Sequence, residues 1–287
     1  MPWLQLIVES DPDGAEALAE QLSEAGAAAV TLEDAADQPI YEPDPGTTPL
    51  WQQTRVVGLF AVHDDVEALA RQLCGPSSRW RISPVEEKDW NRAWMDRFEP
   101  QHFGERLWIV PSWFEPPAPE AVNILLDPGL AFGTGTHPTT RLCLEWLDAH
   151  PPAGATVVDY GCGSGILAIA AAKLEATRVL AVDNDPQALL ATRANAALNG
   201  VGERVEACAP NEPVEATADL LVANILAKPL IQLKPRFVDL LRPGGVLVLS
   251  GILSEQAQEV MQAYAADFVM HPPAEREGWV RLEGVRK

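Results

Sequence analysis

Residues 156–165, TVVDYGCGSG, restrict the possible fold of this chain more than any other stretch. A short β-branched run opens the stretch and is typical of a buried strand, which the acid Asp159 closes. Three alternating glycines follow (Gly161, Gly163 and Gly165), and ILAIAAAKLEA then supplies good helix formers. Glycines let a backbone turn sharply and approach a ligand without a Cβ in the way. Strand, glycine turn and helix predict the first unit of a doubly wound α/β domain, whose ligand lies beyond the carboxyl ends of the strands.

The spacing of glycines and acids favours one class of ligand. The dinucleotide fingerprint is G-x-G-x-x-G, but Gly165 comes one residue early and Ile166 holds the expected place. Asp159, at the mouth of the loop, suits an ammonium and a sulfonium better than a pyrophosphate. Asp183 ends the next strand 18 residues after Gly165, and an acid at roughly 20 residues binds ribose hydroxyls. S-adenosylmethionine fits both acids and NAD only the second; the alternative is an ordinary glycine turn with two solvated acids.

The composition narrows the class of protein. With 287 residues, 47% of them hydrophobic, the chain is long enough for two domains. A net charge of −20 and a pI near 4.5 disfavour direct binding to nucleic acid. The four cysteines form no C-x-x-C pair and are typical of reduced thiols, and the five histidines are too scattered for a metal site. Without a signal peptide or an apolar run of membrane-spanning length, we expect a cytoplasmic protein. We also expect it to be a monomer.

The first 86 residues predict a small α+β domain. Their periodicity gives the order β-α-β-β-α-β, which is the ferredoxin-like arrangement. The predicted strands and helices cover residues 3–9, 12–25, 28–33, 54–62, 64–75 and 79–86. The domain holds 15 Asp and Glu against 4 Arg, a net −11. This charge indicates either a docking surface for a basic partner or a surface that keeps the protein in solution.

A linker and a glycine-rich loop precede the glycine turn. Residues 87–100 predict a short linker helix with an aromatic stripe, and residues 101–287 would form the second domain. The segment DPGLAFGTGTHPTTRLCLEWL (127–147) begins without helical or strand period, and Pro138 then suits the first position of a helix. The loop before Pro138 is either a lid over the ligand or a plain connector.

A polar amide marks the end of another predicted strand. ADLLVANIL (218–226) is a continuous apolar run, which predicts a central parallel strand. Asn224 lies at its carboxyl end, where it either caps a turn or holds a substrate amine. Two strand-like runs at the end of the chain predict an antiparallel hairpin. The second domain is therefore expected to be a Rossmann-like, seven-stranded, mostly parallel sheet, as in class I methyltransferases.

Taken together, these segments closely resemble the ribosomal protein L11 methyltransferase family. The residues that carry the resemblance are LDPGLAFGTGTHPTTRLCLEWL, VVDYGCGSGILAIAA, VDNDPQAL, LLVANILAKPL and LSGILSEQ. The resemblance implies that the first domain recognises the basic ribosomal protein L11 and that the second transfers methyl groups from S-adenosylmethionine to lysine and N-terminal amines. It also implies trimethylation. The cofactor-binding positions would be Thr140, Gly161, Gly163, Asp183 and Asn224, with Phe132 near the methionine end or the acceptor site.

The expected chemistry is displacement at a sulfonium methyl group, for which positioning is the main task. A lysine has a pKa near 10.4, so the acceptor amine must lose its proton, and a water-poor pocket favours the neutral form. No general base is evident, and we expect Asn224 to be the catalytic residue that orients the amine lone pair. Three alternatives stay open. The first is a methyltransferase with another acceptor, which could be a different protein, a small amine or RNA. The second is an NAD-dependent oxidoreductase, and the third is a non-catalytic binding protein.

Overall fold

The computed structural model describes residues 3–36, 38, 40, 49–62, 64–75, 78–85, 98–127, 135–212 and 217–287. The chain divides into two compact units, Met1–Trp94 and Met95–Lys287. The linker helix predicted over residues 87–100 lies almost entirely outside the described residues, as does Phe132.

The first unit has the predicted ferredoxin-like order. Its elements are β1 (Trp3–Ser10), α1 (Pro12–Glu24), β2 (Ala29–Asp34), β3 (Thr54–Ala61), α2 (Val66–Leu73) and β4 (Trp80–Val85). The four strands pair antiparallel in the order β2-β3-β1-β4. The carboxylate of Asp11 caps α1 by accepting from the N–H of Gly14, and that of Asp65 caps α2 in the same way. The core between helices and sheet includes Leu6, Leu22 and Phe60, all essentially buried.

A small sheet and one helix begin the second unit. Their bounds are β5 (Gln101–Phe103), β6 (Leu107–Val110), β7 (Val122–Leu125) and α3 (Pro138–Ala149). Strand β6 pairs antiparallel with β5 and parallel with β7. The buried carboxylate of Asp148, near the end of α3, accepts hydrogen bonds from the N–H groups of Glu105 and Arg106 in the β5–β6 turn. Helix α3 is thereby fastened to the turn that joins these two strands.

The large sheet of the second unit follows the glycine turn. Its elements are β8 (Thr156–Tyr160), α4 (Ile166–Lys173), β9 (Arg178–Val182), α5 (Pro186–Leu198), β10 (Val205–Cys208), β11 (Ala218–Asn224), α6 (Ala227–Leu240), β12 (Leu241–Leu253), α7 (Ala257–Tyr264), β13 (Phe268–Met270), β14 (Ala274–Arg276) and β15 (Trp279–Arg286). The strand order is β10-β9-β8-β11-β12-β15-β13, with β14 paired to β15. The five strands from β10 to β12 are parallel, and β15 runs antiparallel to β12 and β13.

This topology fixes where a ligand can bind. Apolar side chains cover both faces of the sheet, with α4 and α5 packed on one face and α6 and α7 on the other. The strand order reverses beside β8, whose neighbours are β9 and β11. In open α/β sheets the crevice at such a reversal, outside the carboxyl ends of the strands, is where ligands bind. The predicted fold class is confirmed: the strand order is that of a class I methyltransferase sheet, finished by antiparallel strands. The sheet has eight strands among the described residues, one more than predicted, because β14 also pairs with β15.

Candidate active site

The glycine turn after β8 has a backbone that only glycine adopts easily. Gly161, Gly163 and Gly165 all have φ in the left-handed region, at 82°, 54° and 80°. A Cβ on Gly161 would lie 2.3 Å from the side chain of Ile225, the residue after β11. The turn is therefore packed closely against the end of β11, and the carboxyl ends of β8 and β11 lie next to each other.

Asp183, the first residue after β9, is tied to the glycine turn. Its Oδ2 accepts a hydrogen bond of 2.9 Å from the N–H of Gly163, and its Oδ1 accepts one of 3.0 Å from the N–H of Asp185. These bonds hold the half-buried carboxylate at the end of the sheet formed by the carboxyl ends of the parallel strands. A carboxylate has about four lone-pair positions, so two backbone bonds leave acceptor capacity for ligand hydroxyls.

Asn224 and Thr140, predicted from distant parts of the sequence, are in contact. The side-chain amide of Asn224 donates to the hydroxyl Oγ1 of Thr140 over 3.2 Å. Thr140 is buried in the first turn of α3, and Asn224 is half-buried at the end of β11. This contact uses the side-chain nitrogen of Asn224 as donor. The side-chain oxygen of Asn224 can only accept, so it can serve as an acceptor for the N–H group of a ligand.

Asp159 does not lie at the mouth of the loop, where the sequence interpretation placed it. Its side chain is only 1% exposed, and Oδ2 accepts from the N–H of Ala168 in α4 over 2.9 Å. Oδ1 is buried and has no hydrogen-bond partner among the described residues. Burial raises the pKa of Asp159 to about 7, the Ala168 bond opposes this, and the nearby Asp183 adds to it. The strand-end carboxyl is therefore poised between charged and neutral forms near neutral pH.

The start of α3 is capped by an imidazole. The Nδ1 atom of His137 accepts from the N–H of Thr139 over 3.3 Å and lies 2.7 Å from the Thr139 hydroxyl. Accepting at Nδ1 requires the neutral imidazole, and partial burial lowers the pKa of His137. The ring also contacts Trp279 edge-on, with centroids 4.8 Å apart. Thr140 lies in this same first turn, so the cap fixes the helix end that carries it.

Helix α5 and its C-cap, Asn199, contribute polar residues that we did not predict from the sequence. Thr192 and Asn195 donate to the carbonyl oxygens of Gly163 and Ser164, over 3.1 and 2.8 Å. Asn199 exchanges two hydrogen bonds with the backbone of Leu125, at the end of β7. Their spacing of i, i+3 and i+7 puts three polar side chains on one helical face, which is the signal that could have identified them. Such a face must meet polar groups if it is buried.

These groups fit a cationic adenosine ligand. The left-handed glycine turn lets the ligand approach the backbone, Asp183 offers acceptors for hydroxyls, and the orphaned Oδ1 of Asp159 offers one for an ammonium. Within the described ranges, no group of three or more His, Cys, Asp or Glu side chains could hold a metal ion. Nor does any helix in that part of the chain have the length and apolarity needed to cross a membrane.

Comparisons with known proteins agree on one family. The model of the family described as "Ribosomal protein L11 methyltransferase (PrmA)" matches residues 2–287. A relative of that name from Marinobacter nauticus is 57% identical, covering 100% of this chain and 99% of its own. Another from Nitrosococcus oceani is 54% identical with 100% of both chains covered. The crystal structure of a ribosomal protein L11 methylase from Lactobacillus delbrueckii subsp. bulgaricus has a TM-score of 0.60 at 36% identity, covering 66% of this chain and all of its own. The resemblance noted in the sequence is thereby confirmed.

Proposed function

The chain belongs to the ribosomal protein L11 methyltransferase family, and we propose on that basis that it methylates amines of ribosomal protein L11 with S-adenosylmethionine as donor. The acceptors would be lysine side chains and the N-terminal α-amine, each carried to the trimethylated state. A ribosomal protein as substrate would place the reaction in the cytoplasm. We further propose that the enzyme acts as a monomer without a metal ion.

The residues proposed to hold the cofactor surround the crevice between β8 and β11. Bound S-adenosylmethionine supplies an activated methyl group on its sulfonium. Asp183 would accept from the ribose hydroxyls, and Gly161 and Gly163 would let the cofactor approach the turn. Thr140 accepts from Asn224, so its own O–H is the group it can donate to the methionine end.

Asn224 is the proposed catalytic residue. Its amide nitrogen is engaged by Thr140, so its oxygen can accept an N–H of the neutral amine and direct the lone pair towards the methyl group. Positioning of this kind is the main contribution that a protein can make when the donor is already activated. Phe132 would line the methionine end or the acceptor site. The amine proton is lost to solvent, and the partly buried site favours the neutral amine.

The first unit is proposed to recognise the ribosomal protein. Residues 1–86 carry 15 acidic against 4 basic residues. On α1, three glutamates at i, i+4 and i+8 (Glu16, Glu20 and Glu24) are exposed on the side away from the buried Leu22. An acidic helix face of this kind steers a basic partner towards it and weakens as salt is added.

A single observation supports the assignment of the site most directly: the Asn224–Thr140 contact lies beside the glycine turn, at the reversal of strand order.

Intact-mass analysis of purified ribosomal protein L11 after incubation with the enzyme and S-adenosylmethionine tests the function. We expect mass gains in whole methyl groups, which Asp183→Ala reduces at limiting cofactor and which Asp239→Ala, an exposed acid on α6, leaves unchanged. An unmodified L11, with methyl groups found instead on another protein or small amine, would show that the acceptor is wrong.

A further inference from the structure

A buried hydroxyl on α5 donates a hydrogen bond to the backbone of the glycine turn. Thr192 has a relative exposure of 0%, and its Oγ1 donates to the carbonyl oxygen of Gly163 over 3.1 Å. Its side chain also fills the space beside Gly165, where a Cβ would lie 2.9 Å from Cγ2 and Oγ1 of Thr192. Contact between α5 and the turn is therefore both steric and polar.

The hydrogen bonds around Thr192 have only one consistent direction. A threonine hydroxyl carries one proton, and here Gly163 receives it, so the Cys162 thiol, 3.3 Å from Oγ1, is the donor of the second bond. Burial raises the pKa of the Cys162 thiol, which keeps it protonated and able to donate. The order is thiol to hydroxyl to carbonyl, and such chains strengthen each member.

The same glycine connects Thr192 to Asp183. The carbonyl oxygen of Gly163 accepts from Thr192, while its N–H donates to Oδ2 of Asp183 over 2.9 Å. Gly163 has φ of 54° and no side chain, so sterics alone leave its peptide groups free to rotate. Hydrogen bonds on both sides of the residue restrict its orientation, in addition to the backbone bonds that Cys162 and Gly165 make within the turn.

We infer, building on the ribose role proposed for Asp183, that Thr192 is a positioning residue for the cofactor. It holds the Gly163 carbonyl and so restricts rotation about the backbone bonds of Gly163. This steadies the adjoining peptide group, whose Gly163 N–H orients the Asp183 carboxylate towards the ribose. Thr192 thus acts on a site it does not touch. Preorganisation of this type affects binding of the adenosine portion and leaves methyl transfer from the filled site unchanged.

Two substitutions at one position separate positioning from packing. Thr192→Val keeps the shape and removes the hydroxyl, whereas Thr192→Ser keeps the hydroxyl and removes the methyl group. Binding of S-adenosylhomocysteine, measured by calorimetry, should weaken about tenfold in Thr192→Val, as expected for loss of one buried hydrogen bond. The affinity for S-adenosylhomocysteine should stay near the wild-type value in Thr192→Ser. The kcat at saturating cofactor should be unchanged in both Thr192 variants. Thr54→Val is the matched control, since Thr54 is also fully buried and donates to a carbonyl, that of Trp51, in the first unit.

A double-mutant cycle tests the route through Asp183. In an Asp183→Asn background the effect of Thr192→Val should shrink well below its wild-type size, because coupled residues are not additive. An undiminished effect there, unchanged affinity in Thr192→Val, or equal losses in the Val and Ser variants would each overturn the inference. If Asp183→Asn by itself leaves affinity unchanged, the ribose assignment fails instead, whatever Thr192 does.

Discussion

The amide of Asn224 donates a hydrogen bond of 3.2 Å to the hydroxyl of Thr140, which joins the end of a central strand to the first turn of α3. The two residues are 84 positions apart in the chain. Asn224 ends strand β11 of the large sheet, and Thr140 lies in the helix that follows the glycine-rich segment. Their contact couples the proposed acceptor site to the proposed cofactor site.

We predict that Asn224→Ala lowers the rate of methyl transfer far more than it lowers cofactor affinity. The variant loses the oxygen that orients the amine, while Asp183 and the glycine turn stay in place. Removal of one orienting group in an active site typically costs roughly a hundredfold in rate. Single-turnover transfer to ribosomal protein L11 measures the step, with Gln262→Ala, an exposed amide on α7, as control. An unaffected rate would mean that Asn224 serves only to hold the first turn of α3 through Thr140.

Asp183→Ala should bind S-adenosylmethionine at least about tenfold more weakly, because loss of a charged hydrogen-bonding group costs more than loss of a neutral one. The fold should stay intact, since the hydrogen bonds of this carboxylate to described residues come from two backbone N–H groups, those of Gly163 and Asp185. Calorimetric titration measures the affinity and circular dichroism the fold. Asp239→Ala, on the exposed face of α6, is the control. Equal affinities for both variants would remove Asp183 from the cofactor site.

The raised pKa of Asp159 predicts a dependence of stability on pH. Burial raises the pKa to about 7, against 3.8 in the unfolded chain. The neutral carboxyl therefore stabilises the fold at low pH, and this contribution is lost as pH rises through about 7. In cofactor-free protein, the stability of Asp159→Asn relative to wild type should increase as pH rises from about 4 to about 7 and stay constant above that. Urea unfolding across this range measures it, and a pH-independent difference would contradict the raised pKa.

The acidic face of α1 predicts a salt-dependent KM for the protein substrate. Glu20→Gln combined with Glu24→Gln should raise KM for ribosomal protein L11 roughly threefold at low salt, with kcat unchanged and the difference fading at high salt. Glu255→Gln with Glu259→Gln is the matched pair, also exposed at i and i+4 but in the second unit. Equal effects of the two pairs would point to net charge instead of a docking surface.

Local patterns predicted much of this fold because their causes are local. The strand, glycine turn and helix at residues 156–173 follow from β-branched residues, left-handed glycines and helix formers within one short stretch. Pro138 begins α3 as predicted. By contrast, we missed β10 (Val205–Cys208), whose four residues at the sheet edge show no distinct period.

Contacts made by tertiary packing could not be predicted in the same way. The sequence predicts Asp159 near the end of a strand, but whether its carboxyl meets solvent or the N–H of Ala168 depends on how α4 packs. The same holds for Thr192, whose bond to Gly163 spans 29 residues. The assigned roles of Thr140, Gly161, Gly163, Asp183 and Asn224 stay predictions, and Phe132 lies outside the described residues.

A crystal structure of the protein with S-adenosylhomocysteine tests the central claim most directly. We predict that the ligand lies in the crevice between β8 and β11, with its ribose hydroxyls bonded to Asp183 and its amino-acid end beside Thr140 and Asp159. A ligand seated outside this crevice, or a ribose that makes no contact with Asp183, would contradict the account.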